Sequence, residues 1–193
     1  MKDVLIFNPY AGKGSVRFSS EKIQTALQKV GIDTDLAVTT GKGHAIELAE
    51  AAAQAGVERV FITGGDGSIN EAVNGLVNAQ KRGCPGTVLG IIPNGRGNDF
   101  SDGTGIPMDL QKNAEMLARD HCLHCDVGSA GDGTFERYFL NGSGFGIESA
   151  INYYAGLSPL KGKISYIYGI AKSLVHDLHV QEALMTIDGK EMT

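Results

Sequence analysis

Residues 64–71 read GGDGSINE and directly follow the apolar run RVFIT, residues 59–63. A short run of β-branched and aromatic residues predicts a buried strand, and the apolar spacing in INEAVNGLVNAQ, residues 69–80, predicts a helix. Glycines after a strand let backbone amides approach an anion, and a helix N-terminus adds about half a positive charge. The stretch therefore has the composition of a phosphate-binding loop.

The same residues also permit a structural interpretation. Ser68 is suited to an N-cap, and Glu71 follows three residues later, which is the spacing of a capping box. A glycine turn followed by a capped helix would need no ligand.

Strand and helix patterns alternate on both sides of this loop. Because consecutive βα units build a parallel sheet with helices on both faces, residues 1–124 are predicted to form an α/β domain. The predicted strands are DVLIFNP, TDLAVTT, RVFITGG and TVLGIIPNG, and the predicted helices are EKIQTALQKVG, HAIELAEAAAQAG, INEAVNGLVNAQ and MDLQKNAEMLARD.

The pattern changes at residue 125. A hairpin hinged on GDG, residues 131–133, is followed by two helical stretches and a strand that turns at Asp188-Gly189. We interpret residues 125–193 as a second, β-rich domain, and we expect the chain to be truncated because that domain is incomplete.

Composition restricts the setting of the protein. The 193 residues carry a formal net charge of −5, which favours no nucleic-acid partner, and no run approaches the roughly 18 apolar residues of a membrane span. Without a secretory signal, Cys84, Cys122 and Cys125 are expected to be reduced thiols of a cytoplasmic protein. We expect no zinc site at the C-x-x-C pair, although His121 and His124 lie beside it.

Common phosphate-binding motifs do not account for the glycine-rich loops. The Walker A pattern fails because Lys13 is followed by Gly14 and the leading position holds Phe7, and GSGFG at residues 142–146 is a partial dinucleotide fingerprint. A P-loop NTPase or a Rossmann dehydrogenase is therefore disfavoured.

Four stretches together resemble the catalytic domain of the diacylglycerol kinase family, and in particular its bacterial lipid kinase branch. They are FNPYAGKG (7–14), GGDGSINEAVNGL (64–76), LGIIPNGRGNDFS (89–101) and FLNGSGFGIESA (139–150). The resemblance implies a nucleotide-binding α/β domain followed by a β-sandwich, with phosphoryl transfer from ATP to a lipid hydroxyl in the presence of Mg²⁺. Family members continue beyond this length and carry their proposed general base there, so we expect this chain alone to be weakly active or inactive.

The resemblance also implies a set of site residues. Asp66 is the expected catalytic and metal-binding residue, and Gly65, Gly67 and Ser68 are the expected phosphate contacts. The implied nucleotide contacts are Asn8, Lys13, Thr39, Thr40, Gly65, Asp66, Gly67, Ser68, Asn70, Glu71, Gly95, Arg96, Asn98 and Asp99.

Several of these positions have alternative interpretations. Asn8 is equally suited to an Asx turn before Pro9, and Lys13 to an exposed loop. Asn98 and Asp99 either order the GGDG loop or cap the next segment. Arg96 stands where the family has threonine, and it either clamps a phosphate or crowds the nucleotide. We expect His44 to lie on the surface.

Three classes of function remain open. They are a lipid kinase, an NAD kinase with a related GGDG loop, and a nucleotide-binding or membrane-associated regulatory fragment. Residues 157–174 carry Lys161, Lys163 and Lys172 among apolar residues, which is typical of either a core helix or a peripheral membrane segment. The lipid acceptor and the oligomeric state, with a homodimer as one alternative, remain open.

Overall fold

A computed structural model describes residues 2–14, 16–119, 121–144, 146–160, 163–178 and 185–192. The chain forms two compact units, Met1–Gly142 and Ser143–Thr193.

The described elements follow the predicted alternation in the first unit. Its strands are β1 Asp3–Phe7, β2 Thr34–Val38, β3 Arg59–Gly64, β4 Val88–Pro93, β5 Gly128–Gly131 and β6 Glu136–Phe139. Its helices are α1 Ala11–Gly14, α2 Ser20–Lys29, α3 His44–Gln54, α4 Asp66–Lys81, α5 Asp99–Gly103 and α6 Leu110–Leu117. The second unit contains α7 Ile147–Leu157, α8 Lys163–His176, β7 Met185–Ile187 and β8 Lys190–Met192.

The first four strands form one parallel sheet in the order β2-β1-β3-β4. Phe7 at the end of β1 is in register with Thr63, and Gly64 at the end of β3 is in register with Pro93. Three strands therefore end at nearly the same level, and their loops open at one edge. This edge is where ligands bind in parallel α/β sheets.

Two apolar cores cover the faces of the sheet. Ile6, Val60 and Ile62 pack with α3 and α4 on one face, whereas Leu5 and Phe61 pack with α2 and α6 on the other. The predicted burial of β1 on both faces is confirmed, because Leu5 and Ile6 are both 0% exposed. Complete burial of such a side chain contributes about 1.5–3 kcal/mol, so the sheet provides a rigid base for the loops.

The predicted hairpin is confirmed and lies in the first unit. β5 and β6 pair in antiparallel fashion, and the buried Asn74 of α4 binds both the amide and the carbonyl of Tyr138. Lys81 of α4 pairs with Glu136 of β6 at 2.6 Å. The hairpin is thus held to α4, and the domain boundary at residues 124 and 125 stays a prediction.

In the second unit, α7 and α8 pack through small residues. Ser165, Gly169 and Ser173 are spaced by four and form the buried side of α8. A Cβ at Gly169 would collide with the carbonyl of Ile151, and it would lie 3.1 Å from the amide nitrogen of Ala155. Larger apolar side chains are exposed instead, such as Ile164, Ile167 and Leu174 of α8.

The last strands confirm the turn predicted at Asp188-Gly189, which joins β7 to β8. Residues 180–184 of the predicted strand, Lys161 and the side chain of Lys163 lie outside the described part of the chain. Among the residues that are described, no helix is long and apolar enough to cross a bilayer.

Candidate functional site

The loops after β3 and β4 meet backbone to backbone at two glycines. A Cβ at Gly95 would collide with the Cα of Gly65 and lie 2.7 Å from its nitrogen, and a Cβ at Gly65 would lie 3.3 Å from the Cα of Gly95. In contrast, a Cβ at Gly67 would meet no atom of the described residues within 4 Å. The glycines at 65 and 95 thus permit the contact between the loops, while Gly67 faces open space at the N-terminus of α4.

The predicted capping box at Ser68 and Glu71 is wrong. Helix α4 begins at Asp66 and its N-cap is Gly65, which leaves the helix without a side-chain cap. Ser68 is buried instead, and its Oγ accepts a hydrogen bond from Nδ2 of Asn8 at 2.8 Å. The error arose because the helix starts two residues before Ser68, on glycines and an acidic residue that propensity alone does not place in a helix.

Asn8 forms the turn considered for it, and its contact with a nucleotide stays a prediction. Its Oδ1 accepts a hydrogen bond from the amide of Tyr10 at 2.9 Å, which is the predicted Asx turn. Its Nδ2 binds Ser68 across the sheet edge, so the turn after β1 is fixed to the first turn of α4.

Asn98 orders the loop after β4. In a left-handed conformation (φ 61°), it binds the amide of Gly95 through Oδ1 at 3.0 Å and the carbonyl of Gly95 through Nδ2 at 3.1 Å. The side chain therefore fixes the glycine that contacts Gly65. This geometry corresponds to the ordering role considered for Asn98.

Asn94 performs a related role that the sequence reasoning missed. It is 0% exposed and binds the amide and the carbonyl of Phe18 at 2.9 and 3.0 Å, as well as the hydroxyl of Thr63 at 3.1 Å. The only signal in the sequence was an asparagine directly after a buried strand. Asn94 joins the segment after β1 to the ends of β3 and β4.

Asp66 binds the N-terminus of a neighbouring helix. Its Oδ1 accepts hydrogen bonds from the amide of Phe100 at 2.9 Å and from Nδ2 of Asn141 at 3.2 Å, and its Oδ2 accepts one from the amide of Asp99 at 3.1 Å. Burial of the carboxylate favours its neutral form, but these hydrogen bonds together outweigh that effect and lower the pKa of Asp66. The sequence reasoning missed Asn141, although the stretch containing it was part of the family resemblance.

Glu71 binds the N-terminus of α3. Its Oε1 accepts a hydrogen bond from the amide of Gly43 at 2.9 Å, and its Oε2 accepts one from the amide of Ala45 at 3.3 Å. The two carboxylates of the GGDGSINE stretch therefore each occupy a helix N-terminus other than that of α4.

Thr39 and Thr40 lie at the end of β2, beside the loop after β1. The amide of Thr39 donates to the carbonyl of Phe7 at 2.9 Å, and the amide of Thr40 donates to Nδ1 of His44 at 3.0 Å. His44 is partly exposed, and its ring contacts this loop at Thr40. Oγ1 of Thr39 and Oδ1 of Asn70 are buried polar atoms with no hydrogen-bond partner among the described residues.

Arg96 and Asp99 are exposed beside the glycine contact. Cγ of Arg96 would lie 3.4 Å from a Cβ at Gly12, so the loops after β1 and β4 are also adjacent. Asp99 is the first residue of α5. The side chain of Lys13 lies outside the described residues.

The carboxylates near the loop contact decide whether the expected Mg²⁺ could bind here. No group of three or more His, Cys, Asp or Glu side chains within the described ranges is arranged to hold a metal, and this includes Cys122 and Cys125. Mg²⁺ commonly binds through one or two carboxylates together with substrate phosphates, however, and needs no such group. The carboxylate of Asp66 accepts three hydrogen bonds, which leaves about one of its four lone-pair positions for an ion. The site therefore fits a Mg²⁺ ion that is held mainly by phosphate and water.

Fold and site together define an α/β protein whose glycine-containing loops meet at the carboxyl edge of a parallel sheet. Residues 2–130 match the family model of the diacylglycerol kinase catalytic domain. This match covers more than half of the chain, which therefore belongs to the diacylglycerol kinase catalytic domain family.

Relatives and solved structures agree with this assignment. A diacylglycerol kinase of Bacillus subtilis (strain 168) is 30% identical over 189 residues, which cover 96% of this chain and 59% of the relative. A probable lipid kinase YegS-like of Klebsiella pneumoniae (strain 342) is 34% identical over 170 residues, which cover 88% and 54%. A crystal structure of a diacylglycerol kinase from Bacillus anthracis str. Sterne superimposes with a TM-score of 0.60 at 28% identity, covering 80% of this chain and 53% of that one. The chain thus spans about half the length of the curated relatives it matches.

Proposed function

We propose that this chain provides the nucleotide-binding part of a lipid kinase that transfers the γ-phosphate of ATP to a lipid hydroxyl such as that of diacylglycerol. The observation that carries the proposal is the contact of the loops after β3 and β4 at Gly65 and Gly95, in a chain of the diacylglycerol kinase catalytic domain family.

Electrostatics favours the N-terminus of α4 as the phosphate position. The carboxylate of Glu71 occupies the N-terminus of α3, and that of Asp66 occupies the N-terminus of α5. The amide of Gly67 in the first turn of α4 has no intrahelical acceptor, and no side chain of the described residues caps this helix. A triphosphate would therefore bind there, with the amides and the partial positive charge of the helix as its partners.

Phosphoryl transfer depends mainly on positioning and on neutralisation of charge. Mg²⁺, when bound with the nucleotide, would supply positive charge at the phosphate oxygens. Asp66 would orient this ion through its remaining lone-pair position or through water. Thr39, Thr40, Ser68 and Arg96 border the same edge and are further proposed contacts, while Asn8 and Asn98 hold the loops in place.

The direct test incubates the chain with γ-labelled ATP and Mg²⁺, in one arm with diacylglycerol vesicles and in another with NAD. Label in the lipid supports the proposal, and label in NAD supports the alternative of an NAD kinase. A nucleotide-dependent rise of the melting temperature without transfer would indicate nucleotide binding alone. Saturation at 100 times the Kd should stabilise the fold by about 2.7 kcal/mol.

Two glycine variants test the phosphate position. Gly65→Asp should abolish nucleotide binding, but its Cβ also approaches Gly95 and disturbs the contact between the loops. Gly67→Asp places a negative charge at the same helix end with nothing within 4 Å of its Cβ. We expect it to fold normally and to lose affinity for ATP, and unchanged affinity in a folded Gly67→Asp protein would contradict the assignment.

A further inference from the structure

The N-terminus of α3 has no cap of its own. Its N-cap residue is Gly43, which has a φ of 87° and no side chain. A helix start leaves backbone N–H groups without partners, and these are usually satisfied by a Ser, Thr, Asp or Asn side chain at the N-cap. In this chain the carboxylate of Glu71 accepts from Gly43 and Ala45 instead, from a position 26 to 28 residues further along the sequence.

Close packing of the two helices brings Glu71 to this place. A Cβ at Gly75 of α4 would collide with the carbonyl of Ile46, and it would lie 2.9 Å from the Cβ of Ala49. Glu71 is four residues before Gly75 and therefore lies on the same face, one turn nearer the N-terminus. At the next turn, Nδ2 of Asn78 binds Oε2 of Glu50 at 3.4 Å.

The start of α3 in turn holds the loop after β2. Nδ1 of His44, the first residue of α3, accepts from the amide of Thr40 at 3.0 Å and lies 3.1 Å from its hydroxyl. Thr39 is 3% exposed, and its Oγ1 has no hydrogen-bond partner within the described residues. A continuous chain of contacts thus leads from the GGDGSINE helix through α3 to Thr39 and Thr40.

We propose that Glu71 is a positioning residue that sets the Thr39–Gly43 loop against the loop after β3. Glu71 itself does not touch the nucleotide, because both of its oxygens hold amides of α3. Its negative charge also offsets the partial positive charge of the α3 N-terminus, which leaves the N-terminus of α4 as the place for a phosphate. The inference rests on the proposed nucleotide site for its consequence in binding, but not for the contact itself.

The test compares Glu71→Gln with Glu47→Gln. Both variants remove one negative charge near the start of α3, but Glu47 is exposed and forms none of these contacts. In Glu71→Gln, we expect the amides of Gly43 and Ala45 to exchange with solvent roughly 10- to 150-fold faster, as expected for lost hydrogen bonds to a charged group. The amide resonance of Thr40 should shift, and the Kd for Mg²⁺-ATP should rise by a similar factor. Glu47→Gln should change none of these quantities.

The readouts separate positioning from other roles. A rise in Kd with unchanged exchange at Gly43 and Ala45 would mean that Glu71 contacts the nucleotide directly, and it would overturn the proposal. A lower melting temperature with unchanged Kd and an unchanged Thr40 resonance, measured well below the transition, would reduce Glu71 to a merely stabilising role and would also overturn it.

Failure of the proposed nucleotide site would give a different experimental result. If the unaltered chain does not bind Mg²⁺-ATP, that function fails, and the exchange and resonance measurements still decide whether Glu71 positions the loop. Should Glu71→Gln not fold, Glu71→Asp keeps the charge but shortens the side chain by one methylene. Glu71→Asp should change amide exchange, the Thr40 resonance and the Kd in the same directions but by smaller amounts. Amide exchange at Gly43 and Ala45 equal to that of the unaltered chain would contradict the inference.

Discussion

Two carboxylates in the first turns of α4 each bind amides at the start of another helix. These contacts explain why the start of α4, and not that of α3 or α5, is the candidate anion site. Asp66 accepts from Asp99 and Phe100, and Glu71 accepts from Gly43 and Ala45. An internal anion at a helix N-terminus competes with any external one. The chain thus satisfies two helix starts internally, and α4 lacks a side-chain cap.

The role of Asp66 as an acceptor can be tested with Asp66→Asn. The amide group of asparagine would put a donor next to an N–H of Asp99 or Phe100, so we expect a loss of about 1–3 kcal/mol in the free energy of unfolding. Denaturant unfolding at pH 7 measures this loss. Asp109→Asn is the control, because Asp109 caps α6 with one oxygen, Oδ1, at 3.0 Å from the amide of Lys112, and asparagine retains that acceptor. Equal stability of the two variants would contradict the assigned role of Asp66.

The contact between Gly65 and Gly95 leads to a second prediction for single residues. In Gly95→Ala the new Cβ would collide with the backbone of Gly65, which cannot move aside as a flexible side chain would. We expect a loss of about 1–3 kcal/mol in stability and a large loss of affinity for Mg²⁺-ATP. Gly103→Ala, whose Cβ would meet no described atom within 4 Å, should leave the affinity nearly unchanged and should not lower the stability. Calorimetry gives both values, and normal binding by Gly95→Ala would show that the loops do not form the site.

Among the elements, the hairpin β5–β6 is attached to α4 by contacts of different kinds. Asn74 provides a buried pair of backbone hydrogen bonds, whereas Lys81 provides an exposed pair with Glu136 and lies 4.8 Å from the ring centroid of Tyr138. Hydrogen bonds from Lys81, Tyr138 and Ser129 lower the pKa of Glu136 from 4.5 to about 2. The exposed part of the attachment is therefore sensitive to acid.

The sign of this pH dependence follows from the lowered pKa of Glu136. A group with a depressed pKa in the folded state stabilises the fold above its unfolded value, here 4.5, and loses that contribution as the pH falls towards 2. The melting temperature of the unaltered chain should exceed that of Glu136→Gln at pH 6, and the difference should narrow between pH 4.5 and pH 3. Thermal scans at low salt provide the measurement, since salt screens exposed pairs. A difference that is constant with pH would exclude the ionised carboxylate as its cause.

The packing of α7 against α8 in the second unit depends on the small residues on the buried side of α8. Gly169→Ala would place a methyl group against the carbonyl of Ile151 and should destabilise the pair by about 1–3 kcal/mol. In Gly156→Ala of α7, the new Cβ would meet no described atom within 4 Å. This variant should stabilise the helix by about 0.5–1 kcal/mol, because alanine restricts the unfolded chain. Amide exchange within α7 and α8 distinguishes the variants, and opposite changes in protection are expected. Similar protection in both would mean that the two helices do not pack at Gly169.

At the scale of the whole chain, the elements of the sheet were predictable and the contacts of the site were not. The strand β1 could be assigned because Leu5, Ile6 and Phe7 form a continuous apolar run, which is typical of a strand buried on both faces. In contrast, the partner of Ser68 is Asn8, 60 residues away, and local spacing instead suggested Glu71. Sequence patterns report burial and periodicity, whereas hydrogen bonds between loops depend on which strands become neighbours.

The extent of the first folding unit is also open to a test, since the sequence predicts a boundary after residue 124 and the compact unit ends at Gly142. The two apolar cores and the hairpin contacts all lie within residues 1–142. A chain cut after Gly142 should therefore unfold in one cooperative transition and should retain any affinity for nucleotide that the longer chain has.

A chain cut after His124 should be less stable than the chain that ends at Gly142. It would lose Tyr138, which forms two hydrogen bonds with the buried Asn74, and Asn141, which binds Asp66 at 3.2 Å. Each of these hydrogen bonds contributes about 0.5–1.5 kcal/mol, and together they form a measurable part of the roughly 5–15 kcal/mol of a typical domain. Denaturant unfolding of both chains measures the difference. Equal midpoints would place the boundary at residue 124, whereas a broad transition of the 1–142 chain would show that Ser143–Thr193 is needed for the fold of the first unit.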